Sequence, residues 1–177
     1  MTDPADWVAS WIGAAPTALP ALTLQGASWI WSPGATAQNA PAGTRYFRGR
    51  LALPADTSVA STRVVATADD DFTLWLDGRE TLHAPQKVDG WRSARAVDVA
   101  DQVRALVGAD LVLAASATNR PGPSVNPGGF IAKLLVTTSE GDEIVLVTDD
   151  AWRVADTAPT GWQAAGDYFT KQELLGQ

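Results

Sequence analysis

The chain has 177 residues, 46% of them hydrophobic and 19% charged, a size that corresponds to about one domain with its own core. It contains no cysteine and one histidine, which excludes a disulfide framework, a thiolate metal site and a multi-histidine zinc site. Its net charge of −7 argues against nucleic acid and anionic membranes as partners. Eight tryptophans indicate either an aromatic-rich core or a surface on which a ligand stacks.

The N-terminal part of the chain shows little periodicity and is rich in alanine, proline, glycine and tryptophan. We expect residues 1–26 to form an extended strap, followed by a short strand near Ala27–Trp31. Asp3 and Asp6 stand where a secretory signal would carry positive charge, so no signal peptide is predicted. Polar residues interrupt every apolar stretch before the roughly 20 residues that a bilayer requires.

From Thr44 onward, short runs with strand patterning alternate with turn signals. The predicted strands are 46–53, 62–68, 72–76, 94–99, 111–118, 130–137 and 143–148. Asp77-Gly78 predicts a type I′ hairpin, because both central residues of that turn need positive φ. Helical spacing over 101–107, ended by Gly108, predicts one short helix.

This series of short strands predicts an all-β fold, an antiparallel jelly-roll β-sandwich with one short helix. The sandwich is expected to span residues 27–160. Residues 161–177 are expected to form a C-terminal segment that leads toward a next domain.

Three consecutive aspartates, Asp69, Asp70 and Asp71, precede the predicted strand at 72–76 and are called the aspartate triplet below. Adjacent carboxylates repel each other unless a cation, a basic neighbour or solvent relieves the repulsion. Calcium takes about six to eight oxygen ligands, and clustered aspartates on loops suit it. The alternative is a solvated turn that starts the strand, since no EF-hand pattern surrounds the triplet.

Two further segments offer groups that a ligand could use. The connection 118–129 has three prolines and three glycines, so it could aim carbonyl oxygens and amides such as Asn119 at one point. The alternative is an ordinary connection between strands, although 118–129 is long for one.

Trp91 follows a glycine in a polar setting. It offers a flat apolar face to a sugar ring, or it caps the sandwich as an edge residue.

Catalytic arrangements find little support. No serine lies in a Gly-x-Ser-x-Gly elbow, and His83 would have to be the sole base, so it is expected to be an exposed hairpin residue. The triplet and Asp89 could supply a carboxylate pair for glycoside hydrolysis, but one small sandwich offers little depth for a cleft. We therefore expect the isolated chain not to be an enzyme.

Eight short motifs follow one another between about residue 27 and residue 170. They are Trp29-Ile30-Trp31, Arg45-Tyr46-Phe47-Arg48, the stretch 66–78, Gly90-Trp91, Val97-Asp98-Val99, the stretch 113–119, the stretch 148–153 and Gly161-Trp162-Gln163. Their order resembles the β-sandwich module that precedes the catalytic domain in bacterial α-L-rhamnosidases. This group includes the rhamnose-binding carbohydrate-binding modules, and the resemblance implies their galactose-binding-like jelly-roll fold.

The resemblance also implies a site. In rhamnose-binding members, adjacent acidic or amide side chains, an Asn and a carbonyl near a proline hold Ca2+, and a tryptophan packs against the sugar. The implied calcium ligands in this sequence are Asp69, Asp70 and Asn119, with Asp71 the alternative outer ligand if the register shifts by one. The implied sugar contacts are Asp70, Asp71, Trp91, Asn119 and Pro123. Many members have an amide where this chain has Asp70, and the added carboxylate is expected to raise calcium affinity.

The function that the resemblance implies is a non-catalytic, calcium-dependent carbohydrate-binding module that targets a glycosidase to polysaccharide. Its implied partners are L-rhamnose or a rhamnose-containing polysaccharide and a catalytic domain of the same polypeptide. The sequence leaves the compartment open, and an extracellular setting is favoured only if the chain is part of a polysaccharide-degrading enzyme. The alternative is a structural accessory sandwich of an α-L-rhamnosidase that binds no sugar of its own.

The eight tryptophans receive different roles under this interpretation. Trp91 alone is expected to touch ligand. The others are expected to be structural or to face a neighbouring domain: Trp29 and Trp31 open the sandwich, Trp75 covers a sheet from the side opposite the core, Trp152 closes the sandwich, and Trp7, Trp11 and Trp162 lie in the terminal segments.

Overall fold

The computed structural model describes residues 22–36, 38–87, 89–122 and 125–164, and the regular structure within them is nearly all β-strand. The strands are β1 (Gly43–Ala52), β2 (Val59–Asp69), β3 (Asp71–Leu76), β4 (Arg79–Ala84), β5 (Arg95–Asp98), β6 (Asp110–Asn119), β7 (Gly129–Thr138), β8 (Glu143–Val147) and β9 (Arg153–Ala155). One short helix, α1 (Ala100–Arg104), and one 3₁₀ turn, Gly90–Arg92, accompany them.

The strands form two antiparallel sheets that face each other. The five-stranded sheet has the order β4-β3-β6-β1-β9, and the four-stranded sheet has the order β5-β2-β7-β8. Apolar side chains from both sheets meet in one core, in which the rings of Phe47 and Phe130 stack with 5.4 Å between their centroids. The predicted antiparallel β-sandwich is confirmed.

Local patterning set the strand faces as predicted. In β3, Leu74 is fully buried while its neighbour Trp75 lies on the opposite face and is half-buried, because alternate residues of a strand point to opposite sides. Asp77 and Gly78 have φ values of 45° and 81°, which confirms the type I′ turn between β3 and β4.

Three elements differ from the sequence-based expectation. The segment Ala27–Trp31 is not a strand, since only Ile30 pairs there, in an isolated bridge with Phe130. The helix expected over 101–107 is the shorter α1, after which the chain continues in turns to Gly108 at φ 85°. Strand β9 was not predicted, because three residues are too few to show a periodicity.

The outer face of the five-stranded sheet is covered by residues of the same chain. Trp162 is 3% exposed, and its ring meets the edges of Tyr46 and Trp75 with 5.2 Å between centroids in each pair. The Gly78 N–H donates a hydrogen bond of 2.7 Å to the Gln163 carbonyl. The expectation that Trp162 faces a neighbouring domain is therefore wrong, because the sheet itself supplies its contacts.

Much of both predicted terminal segments falls outside the described residues, including Trp7 and Trp11. The division at residues 26 and 160 stays a prediction. The described part of the chain contains no helix long and apolar enough to cross a membrane.

The aspartate triplet carries the chain from one sheet to the other. Asp69 ends β2 and pairs with Gly129 of β7, whereas Asp71 begins β3 and pairs with Thr118 of β6. Between them, the Asp70 N–H donates a hydrogen bond of 2.7 Å to the Thr118 carbonyl. The triplet and the connection between β6 and β7 therefore lie at the same end of the sandwich.

Candidate functional site

Arg120 contacts two members of the aspartate triplet, one through its backbone and the other through its side chain. The backbone N–H of Arg120 donates a hydrogen bond of 2.8 Å to Oδ2 of Asp70. The Arg120 guanidinium forms an ion pair with Asp71, with 3.0 Å between Nη2 and Oδ2. Arg120 thus anchors the start of the connection between β6 and β7 to the triplet.

The surroundings of Asp69 disfavour the ionised form of its carboxyl group. Burial raises the pKa of the Asp69 carboxyl above its ordinary value, and the nearby carboxylates of Asp70 and Asp89 raise it further. Both causes disfavour the ionised form of Asp69 in the folded chain. A cation placed beside this carboxylate would reverse that effect, since an opposite charge favours ionisation.

Asn119, the last residue of β6, is 2% exposed and is held from two sides. Its Nδ2 donates a hydrogen bond of 3.0 Å to the Ala40 carbonyl. Its amide also packs against Gly128, where an added Cβ would lie 2.5 Å from Nδ2. Because Nδ2 is hydrogen-bonded to Ala40, Oδ1 is the atom of this amide that could coordinate a cation.

An open groove with a volume of about 300 Å3 lies at this end of the sandwich. It is lined by Trp29, Asp69, Trp91 and the segment 127–129. The two indoles are among the few large apolar side chains of the described residues that are well exposed, with exposed fractions of 48% for Trp29 and 39% for Trp91. The groove therefore combines two aromatic rings with one carboxylate.

The backbone beside Trp91 is fixed to β2. The Thr67 hydroxyl donates a hydrogen bond of 3.2 Å to the Trp91 carbonyl. On the other side, the Arg92 guanidinium lies 4.5 Å from the centroid of the Trp91 ring, within the range of a cation–π contact. Arg92 also lies 3.5 Å from the carboxylate of Asp89, which has φ 56° at the start of the turn.

The structure brings some of the sequence-predicted site residues together. Asp69 and Trp91 share the groove, and Asn119 contacts its floor at Gly128. Asp70 and Asp71 adjoin Asp69 but contact Arg120. Pro123 lies outside the described residues.

Trp29 is the groove residue that the sequence analysis missed. It was expected to be structural, yet its ring lies over Gly129, where an added Cβ would come within 2.7 Å of the ring atom Cε3. The pair Gly128-Gly129 was the available signal, since a flat ring can lie directly on a backbone without side chains.

His83, the remaining titratable candidate, is not among the residues that line the groove. His83 lies exposed on β4, as predicted, and its Nδ1 is 2.9 Å from the Thr73 hydroxyl.

Within the described residues, no three His, Asp or Glu side chains come together as a metal cage would require. A cation here would therefore need amide and carbonyl oxygens in addition to carboxylates.

No protein-family model matches the sequence. Over 172 residues, the chain is 37% identical to the α-L-rhamnosidase of Streptomyces avermitilis, in an alignment that covers 90% of this chain and 16% of that protein. The chain is homologous to a segment of this α-L-rhamnosidase. It therefore corresponds to a small part of the enzyme's length, and the resemblance inferred from the eight motifs is confirmed.

Solved structures agree with this assignment. The crystal structure of the Streptomyces avermitilis α-L-rhamnosidase complexed with L-rhamnose matches 95% of this chain and 16% of its own, with a TM-score of 0.74 and 32% identity. The lectin of Pleurotus ostreatus in its apo form matches 84% of this chain and 40% of its own, with a TM-score of 0.68 and 30% identity. Similarity to a rhamnosidase segment and to a lectin indicates a carbohydrate-binding or accessory β-domain.

Proposed function

We propose that this chain is a non-catalytic carbohydrate-binding module that holds L-rhamnose or a similar terminal sugar in the groove, with a Ca2+ ion between Asp69 and the sugar. The single observation that carries the proposal is the groove itself, which is lined by two exposed indoles and the partly buried residue Asp69. The module would hold a glycosidase, most simply an α-L-rhamnosidase of the same polypeptide, on rhamnose-containing polysaccharide.

The indoles suit a sugar because a pyranose ring has apolar C–H faces and polar hydroxyl edges. A tryptophan ring offers a large rigid surface that packs on such a face. The groove volume of about 300 Å3 is at the lower end for small-molecule pockets, which suits a single terminal ring. The relatives point the same way, since one solved structure is a rhamnosidase complexed with L-rhamnose and another is the Pleurotus ostreatus lectin in complex with GalNAc.

The donor chemistry beside the groove fits Ca2+. The carboxylates of Asp69 and Asp70 and the amide oxygen of Asn119 are the hard oxygen ligands that this ion prefers. Oδ2 of Asp70 accepts a hydrogen bond from the Arg120 N–H. A carboxylate accepts about four hydrogen bonds or ligands in all, so Asp70 can still bind a cation. The raised pKa of Asp69 supports the same assignment, because a cation would relieve the clustering of negative charge.

When bound, Ca2+ would supply a positive charge with open coordination positions for two neighbouring sugar hydroxyls. The chain's own residues fix the geometry around it: Asn119 is held by Ala40 and Gly128, and Asp70 is held by Arg120. The aspartates would thus act as ligands and not as a general acid and base. Because one exposed ring buries little surface, we expect affinities in the micromolar to millimolar range.

Calorimetric titration with L-rhamnose tests the proposal. With Ca2+ present, we expect measurable binding, which excess EGTA abolishes. Trp91→Ala should weaken binding at least about tenfold, because it removes an aromatic surface from the ligand contact. Val145→Ala is the control, since Val145 is 39% exposed on β8 and outside the groove, and it should bind as the parent chain does.

Two outcomes would contradict the proposal. An absence of heat with L-rhamnose, GalNAc and other neutral sugars in the presence of Ca2+ would leave the structural accessory domain as the better account. Release of rhamnose from a glycoside by the chain alone would contradict the non-catalytic assignment.

A further inference from the structure

We propose that a second ligand site lies in the cavity lined by Arg45 and Asp156, and that it takes the carboxylate of an acidic sugar such as a uronic acid. This cavity is separate from the groove, since none of the residues that line the groove also lines the cavity. The inference therefore does not rest on sugar binding in the groove.

The cavity lies beside β9 and has a volume of about 580 Å3. Its lining consists of the segment 154–159 together with Ser32, Pro33, Pro41 and Arg45. The volume is within the usual range of small-molecule pockets and is large enough for one sugar ring. Three prolines and two hydroxyl residues belong to the lining, a mixture that suits a ring with apolar C–H faces and polar edges.

Arg45 is nearly enclosed, with a side chain that is 11% exposed. A cation so far removed from water needs hydrogen-bond partners for its N–H groups. Nη1 donates a hydrogen bond of 3.0 Å to the Thr44 carbonyl. Within the part of the chain that the structure describes, the buried Nε–H has no hydrogen-bond acceptor. Because buried polar groups are nearly always hydrogen-bonded, this donor indicates a place for a ligand oxygen.

Asp156 occupies the position that the ligand carboxylate would take. Its Oδ1 lies 2.8 Å from Nε of Arg45, yet the contact lacks the geometry of a hydrogen bond. The Asp156 side chain is 70% exposed, directly after the end of β9. An ion pair with so exposed a member contributes little to stability. A carboxylate that forms two parallel hydrogen bonds with the guanidinium can therefore displace it.

The Arg45 guanidinium is held by neighbours other than Asp156. Its Cζ lies 5.7 Å from the centroid of the Trp31 ring, within the range of a cation–π contact. The Trp31 ring is fixed in turn, since its Nε1 donates a hydrogen bond of 3.1 Å to the Pro41 carbonyl. Nη1 also packs against Gly43, where an added Cβ would lie 3.1 Å from it. The guanidinium is thus preoriented for a ligand, which lowers the entropic cost of binding.

The charge of the cavity favours an acid, although the chain as a whole carries −7. Arg45 and Asp156 are the charged members of the described lining, and their charges cancel. Charges farther away than about 8 Å are largely screened at physiological ionic strength. Exchange of Asp156 for a ligand carboxylate keeps this balance, whereas a neutral sugar would leave the guanidinium without a counter-ion.

D-Glucuronate and D-glucose test the inference, because C6 is a carboxylate in the first and a hydroxymethyl group in the second. Calorimetric titrations in EGTA keep Ca2+ away from the groove. We expect the parent chain to bind D-glucuronate at least about tenfold more tightly than D-glucose or acetate, from charge-assisted hydrogen bonds and the ring contacts together. Arg45→Lys should weaken D-glucuronate binding about tenfold or more, since lysine lacks the planar fork of donors.

Asp156→Asn gives an effect of the opposite sign. The substitution removes the competing carboxylate, so D-glucuronate binding should become about tenfold tighter, and a purely structural ion pair would not produce this gain. Asp110→Asn is the matched control. Asp110 forms an exposed ion pair with Arg50 outside the cavity, and its variant should bind D-glucuronate as the parent chain does.

Thermal melting of each variant checks that the fold is intact. The exposure of Asp156 predicts a small change for Asp156→Asn, so this variant tests the site even if Arg45→Lys fails to fold. An absence of D-glucuronate binding in both the parent chain and Asp156→Asn would overturn the inference, as would acetate binding as tight as that of D-glucuronate. Titration of the same samples with L-rhamnose and Ca2+ tests the proposed function separately, and Asp156→Asn should leave that affinity unchanged.

Discussion

Trp162→Ala should lower the free energy of unfolding by about 3–5 kcal/mol, the usual cost of removing a buried tryptophan. Trp162 is 3% exposed and covers Val112 and Ala114 on the outer face of the five-stranded sheet, between the rings of Tyr46 and Trp75. Its loss would expose this apolar face and would remove two edge-to-face aromatic contacts. Urea unfolding followed by fluorescence or circular dichroism measures the change.

Trp91→Ala serves as the control for this stability measurement, because it removes the same side chain from an exposed position. We expect it to change the free energy of unfolding by less than about 1 kcal/mol. Equal effects of the two substitutions would contradict the structural role assigned to Trp162. Confirmation would mean that residues 161–164 belong to the folding unit of the sandwich, although the sequence suggested that they lead away from it.

Asp69→Asn should abolish the response of the chain to Ca2+. For the parent chain, Ca2+ at a hundredfold excess over its dissociation constant should add about 2.7 kcal/mol of stability and raise the melting temperature. Without Ca2+, Asp69→Asn should be as stable as the parent or more stable at neutral pH. The raised pKa means that ionisation of Asp69 disfavours the folded state, so the stability contributed by this group falls as pH rises through its pKa, and a neutral amide avoids that loss.

Thermal melting with Ca2+ and with EGTA measures this effect, and titration with L-rhamnose should show a loss of affinity of about a hundredfold or more. Asp56→Asn is the matched control, since Asp56 is exposed in the turn after β1 and away from the groove. A calcium-induced shift in Asp69→Asn equal to that of the parent chain would contradict the assignment of Asp69 as a ligand.

The features that the sequence predicted well are those that depend on local patterns. Alternating apolar residues gave the faces of β3, and Asp77-Gly78 gave the turn after it, because strand faces and tight turns are determined by a few neighbouring residues. The predicted strand at 111–118 likewise lies within β6, because a continuous run of small and apolar residues marks a central strand.

The features that the sequence did not predict depend on contacts between distant residues. Trp29 and Trp162 look alike in sequence, each in a segment without periodicity, yet one is half exposed and the other is buried. Their environments follow from Gly129 of β7 in the first case and from Tyr46 and Trp75 in the second. Neither set of partners is adjacent in the chain, so no local pattern could distinguish the two tryptophans.

The aspartate triplet shows the same limit within the candidate site. The sequence indicated that repulsion among its carboxylates needs relief by a cation or a basic neighbour. In the structure, the Arg120 guanidinium pairs with Asp71 and the Arg120 backbone N–H bonds to Asp70, contacts that arise because β3 lies next to β6. Asp69 ends β2 in the four-stranded sheet and lines the groove, so it is the member to which we assign the cation.

The central claim, that the groove between Trp29 and Trp91 binds a sugar, is tested most directly by the indole N–H signals in a proton–nitrogen correlation spectrum. The chain has eight tryptophans, and the signals of Trp29 and Trp91 can be assigned from the spectra of their alanine variants. Addition of L-rhamnose with Ca2+ should shift these two signals and leave those of Trp75, Trp152 and Trp162 in place. Unchanged signals for Trp29 and Trp91 at saturating sugar, or shifts confined to the other tryptophans, would contradict the account.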